Sequence, residues 1–82
     1  MLEFEKTTIV FKDYEGTKHR FDVPSYSELK KAQKELLDNI EKADEVIVNS
    51  LVKWGVKKDV LEDFELGHIR KLWDSVLSSK KD

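Results

Sequence analysis

Hydrophobic and polar positions divide the chain at its single proline, Pro24. Before it the pattern has a period of two. Thr7-Thr8-Ile9-Val10-Phe11 is β-branched and aromatic, and His19, Phe21 and Val23 alternate with Arg20 and Asp22. Between these runs, Asp13-Tyr14-Glu15-Gly16-Thr17 supplies an aspartate to open a turn and a glycine to take a positive φ. Residues 1–24 thus read as a β-hairpin, with Ile9, Phe11, Phe21 and Val23 on one buried face. A lone hairpin is marginal in water, so helices or a partner must cover that face.

After Pro24 the period becomes helical. Ser25-Tyr26-Ser27-Glu28 has the form of a capping box. Leu29, Ala32, Leu36, Ile40, Ala43, Ile47, Leu51 and Trp54 follow at steps of three or four, and Gly55 stands where a helix is expected to stop. The spacing predicts one long helix over 25–54, or two helices broken near Lys42 to Glu45 with Asp44 as the new cap. Val46-Ile47-Val48 also suits a strand. Asp59-Val60-Leu61-Glu62 offers a second capping box. Ile69, Leu72, Trp73, Val76 and Leu77 predict a C-terminal helix over 59–78, with Ser78 to Asp82 (79–82 in particular) frayed. The fold class is α+β: an N-terminal β-hairpin followed by two or three α-helices in a single domain spanning 1–82. Open hairpin edges give such a body a route to strand addition or to a homo-oligomer.

Composition narrows the function. With 82 residues the core is thin. There is no cysteine, which removes disulfides and thiolate metal sites and points to reducing cytoplasm. No apolar run approaches the length of a membrane span. The 15 basic and 17 acidic residues are interspersed; even the cluster Lys30, Lys31, Lys34 is ringed by Glu28, Glu35 and Asp38, so nucleic-acid binding is not expected.

Candidate chemistry is sparse. His68 with Glu65 three residues earlier gives at most two metal ligands, or simply a surface pair. Gly16, Gly55 and Gly67 form no phosphate loop, and no serine sits in a nucleophile elbow. The expectation is a non-catalytic protein with no metal or cofactor. Partner-binding candidates are the aromatics Tyr26, Trp54 and Trp73, with Leu51 on the stripe leading to Trp54. Trp73, continuing the Ile69, Leu72 and Val76 face, reads as core before it reads as an anchor, whereas Trp54 beside Gly55 reads equally as core or as an anchor for another protein.

The order as a whole is a short hairpin (Ile9-Val10-Phe11 and Phe21-Asp22-Val23), then Pro24-Ser25 opening a helix with Leu29 and Ala32-Gln33. A helix ending at Gly55, the segment Leu61-Glu62-Asp63-Phe64 and a last helix through Leu72 and Leu77 complete it. This layout resembles the small tail assembly chaperones of long-tailed bacteriophages. The resemblance implies binding to a helical tape-measure protein and to tail-tube subunits in the host cytoplasm, self-association, and no catalysis. It also implies a longer frameshifted form, for which Lys80-Lys81 marks a possible slippery run. Two other readings are a small phage or mobile-element inhibitor of a host defence protein, which would want a concentrated acidic patch, and a helix-turn-helix regulator. The latter would carry Asp59, Glu62, Asp63 and Glu65 where phosphate contacts are needed.

Overall fold

The computed structural model describes residues 1–79. Strands β1 (Thr8–Lys12) and β2 (Lys18–Asp22) form an antiparallel hairpin, followed by α1 (Tyr26–Asp38), a 3-10 turn (Ile40–Lys42), α2 (Ala43–Lys53), α3 (Lys58–Asp63) and α4 (Leu66–Ser78). The fold is α+β. The last part of the predicted frayed tail, 80–82, lies outside the described residues; Ser78 belongs to α4, and Ser79 caps it through an Oγ–H donated to the Val76 carbonyl at 2.7 Å.

Asp13 builds the hairpin turn. Its Oδ1 accepts the amides of Glu15 and Thr17, both at 2.9 Å, and Gly16 takes φ 87°. The register pairs Ile9 with Phe21 and Phe11 with His19, which puts the apolar residues on the face toward the helices. Val23 extends the pairing by donating its amide to Thr7 at 2.8 Å.

Ser25 caps α1 as expected, its Oγ accepting the Glu28 amide at 3.3 Å. The other half of the box is not made: the Glu28 carboxylate meets Lys53 Nζ at 3.1 Å, tying α1 to the end of α2. The predicted break between α1 and α2 falls earlier than Lys42. Asn39 leaves helical geometry at φ −131° and ψ 50°, and its side-chain amide donates to the Glu35 carbonyl at 3.0 Å. Asp44 is not the cap; it lies in the first turn of α2 and receives Arg70 Nη2 at 3.0 Å. The earlier break takes Ile40 off the buried stripe. Val46-Ile47-Val48 is helical, with Val46 and Ile47 buried.

Gly55 ends α2 at φ 118°, a region that penalises any Cβ. Its amide donates to Val52 and that of Val56 to Leu51, the two bonds of a Schellman cap, while Val56 and Leu51 join the same core cluster. The expected single helix over 59–78 is two helices. Lys57 is the N-cap of α3 and Asp59 lies inside its first turn, without a side-chain cap bond. Phe64 and Glu65 are extended, at ψ 148° and 146°, and split α3 from α4. The gain from the split is aromatic: Phe64 stacks on Tyr14 at 4.9 Å between centroids and meets Phe11 edge-on at 5.9 Å.

The core gathers Phe21 from the hairpin, Leu29 and Ala32 from α1, Ile47 and Leu51 from α2, Val56, Leu61 from α3, and Ile69, Leu72, Trp73 and Val76 from α4. The chain's extents of 44 × 35 × 18 Å make the body a slab about two layers thick. Among the described residues, no helix is long and apolar enough to cross a membrane.

Candidate protein-binding surface

The histidines are engaged in structure. His19 Nε2 meets Asp13 Oδ2 at 2.9 Å while its ring stacks on Phe11 at 5.2 Å. That hydrogen bond, helped by the turn amides, holds the Asp13 carboxyl below the ordinary carboxylate range. Glu28 is held low in the same way by Lys53. His68 Nδ1 lies 3.9 Å from Glu65 but only 2.7 Å from Tyr14 Oη. The Tyr14 oxygen also accepts the Glu65 amide at 2.9 Å, so its own proton is free for His68. No group of three His, Cys, Asp or Glu that could hold a metal ion occurs among the described residues. The groove between α1 and α2, lined by Glu28, Lys31, Glu35, Lys53 and Trp54, holds about 110 Å³, and wider surface depressions hold about 430 Å³ beside Tyr14 and Phe64 and about 550 Å³ beside Pro24 and Trp54.

The four residues singled out from the sequence separate. Leu51 is 0% exposed and Trp73 5%, so both are core and neither can meet a partner in this fold. Leu51 is buried because it stands where the α2 cap closes; Trp73 because α4 turns it inward beside Leu72 and Val76. Trp54 is half-buried and stacks on Trp73 at 5.6 Å with an interplanar angle of 13°, its edge lining the α1–α2 groove. It is thus part core and part surface. Tyr26 is 70% exposed on the first turn of α1, with Lys30 Nζ 6.0 Å from its ring centroid.

Two further exposed residues near Tyr26 are not among the partner-binding candidates: Leu37, which the apolar stripe passes over, and Ile40, which the stripe places on the buried side. Leu37 is 71% exposed and Ile40 69%. Tyr26, Lys30, Gln33 and Leu37 follow at steps of four and three, an outward row beside buried Leu29 and Ala32 and half-buried Leu36, and exposed Ile40 follows in the 3-10 turn. The adjacency Leu36-Leu37 is the sequence signal: neighbours 100° apart cannot both sit at the centre of one narrow face. Lys30 and Lys34 give this row a basic margin. Leu2, Phe4 and Val10, in segment 1–6 and β1, are also exposed. The chain exposes 6427 Å², against about 5,100 Å² expected for a folded monomer of this mass.

No family model matches the chain, and neither does any curated protein or solved structure compared with it.

Proposed function

We propose that this protein is a non-catalytic binding module, a phage tail assembly chaperone that holds the tape-measure protein and presents it to tail-tube subunits in the host cytoplasm. The observation that carries the reading is the outward side of α1: Tyr26 and Leu37 stand in solvent on a helix whose other side packs in the core, and Ile40 stands equally exposed in the 3-10 turn that follows it. Solvated apolar residues in such a row are what an amphipathic client helix would cover. The basic margin from Lys30 and Lys34 favours a client whose apolar stripe is bordered by acids. The layout of hairpin, Pro-Ser helix start and Leu-Glu-Asp segment supports the chaperone form of the reading. The exposed acids Asp59, Glu62, Asp63 and Glu65 around α3 speak for protein rather than nucleic acid as the partner.

Co-expression tests it. The chain is produced with a long helical protein encoded beside its gene and carrying tape-measure character. The expected result is a client insoluble alone, soluble with this chain, and co-purifying with it. A client equally insoluble in its presence, or a neighbourhood without tail genes, overturns the chaperone reading.

A further inference from the structure

The hairpin register settles which backbone groups are already used. Val23 donates to Thr7, and Asp13 donates to Thr17 at 3.0 Å, so the hydrogen-bonded positions of the first strand are Thr7, Ile9, Phe11 and Asp13. The amides and carbonyls of Thr8, Val10 and Lys12 therefore point away from β2. Among the described residues, no backbone group from elsewhere in the fold bonds to them. The two open edges differ in their side chains. The outer edge of β2 carries Lys18, Arg20 and Asp22, all exposed and charged, which discourages pairing. The outer edge of β1 carries Thr8, Val10 and only one charge.

Segment 1–6 runs directly into β1. Leu2 and Phe4 have the same parity as Val10, so an extended continuation sets all three on one side of the strand. All three are exposed, Phe4 at 87%. Among the described residues of one copy nothing covers them.

We infer that a second copy of this chain adds to this edge, β1 against β1, antiparallel about a twofold axis at Thr7, giving a four-stranded sheet in the order β2-β1-β1-β2. In this register Phe4 of each copy lies opposite Val10 of the other, Lys6 opposite Thr8, and Leu2 opposite Lys12. These are hydrogen-bonded pairs that use the backbone groups left open by the hairpin. Moving the axis to Lys6 sets Lys6 directly against Lys6, which like charges disfavour. Moving it to Thr8 sets Phe4 against Lys12 and Lys6 against Val10. Only the axis at Thr7 joins the apolar residues and separates the lysines. The interface is isologous and closes as a dimer. It leaves the outward row of α1 free and does not depend on the chaperone reading.

The register makes a covalent test available, because the chain lacks cysteine. With the axis at Thr7, a Thr7→Cys thiol faces its own counterpart in a non-hydrogen-bonded pair, close enough for a disulfide. A Glu3→Cys thiol lies about 27 Å from its counterpart. Under mild oxidation Thr7→Cys gives a covalent dimer and Glu3→Cys stays a monomer. Sedimentation of the unmodified chain shows a dimer. Phe4→Asp and Val10→Pro each turn it into a monomer with an unchanged circular dichroism spectrum, whereas Leu37→Glu remains dimeric. Should Val10→Pro unfold the hairpin, Phe4→Asp carries the test, since Phe4 lies outside the packed body. A monomer at millimolar concentration, a dimer that survives Phe4→Asp and dissociates with Leu37→Glu, or equal cross-linking at positions 3 and 7 overturns the inference.

Discussion

The Tyr14 hydroxyl lies 2.7 Å from His68 Nδ1, fifty-four residues away in sequence, while accepting the Glu65 amide that opens α4. A turn residue of the hairpin thus satisfies the N-cap amide at the start of α4, where the Glu65 side chain makes no cap bond of its own. It also explains the split between α3 and α4, because the same ring is the platform for Phe64. The contact locks the hairpin tip to the helical layer. Tyr14→Phe keeps the stack and removes both hydrogen bonds, and is expected to lower unfolding free energy by about 1 kcal/mol. Urea denaturation measures it; a variant as stable as the parent would show that the hydroxyl contributes nothing.

Acid sensitivity follows from Asp13 and Glu28. His19 and the turn amides hold the first carboxyl low, and Lys53 the second, so the folded chain releases these protons more readily than the unfolded chain. Their contribution is complete above the ordinary carboxylate range and is lost as pH falls through that range and below it. Asp13→Asn is therefore expected to be less stable than the parent at neutral pH, with the gap closing toward about pH 2. Thermal melts across pH read the two curves. A gap that widens on acidification contradicts the assignment.

Gly55→Ala tests the α2 cap. At φ 118° an added Cβ is strained, and it would also come within 3.4 Å of Phe21 Cβ. A loss of roughly 1–2 kcal/mol is expected. Gly67→Ala is the counterpart, since nothing lies within 4 Å of a Cβ there and the residue sits in a helix; it is expected to stabilise by up to about 1 kcal/mol. Denaturant titration of both variants checks the opposite signs.

Leu51 and Leu37 separate core from surface. Leu51→Ala opens a cavity at a fully buried position and is expected to cost about 2–5 kcal/mol. Leu37→Ala is expected to change stability by less than about 0.5 kcal/mol. A large loss at Leu37 would mean that the outward row of α1 is packed in solution.

Much of this fold was legible in the sequence. The period-two pattern and the Asp13–Gly16 turn located the hairpin, Ser25 located the start of α1, and Gly55 the end of α2. What was illegible had two causes, one local and one across the chain. Asn39 ends α1 through its own side chain, a local event that the apolar period of Ile40 and Ala43 masks. The extended pair Phe64-Glu65 is set by Tyr14, and no window around α3 contains that tyrosine. The candidate surface was legible in part. Tyr26 and Trp54 stand where a partner could reach them; Trp73 is core, the reading its place on the Ile69, Leu72 and Val76 face favours, and the packing puts Leu51 inside with it. Leu37 was hidden by reading the stripe through Leu36.

Binding of an amphipathic tape-measure helix to the chain, followed by anisotropy of the labelled helix, tests the outward row of α1 most directly. Saturable binding to the parent chain, abolished in the double variant Leu37→Glu/Ile40→Glu while that variant keeps its melting temperature, is the predicted result. Undiminished binding by the double variant would contradict it.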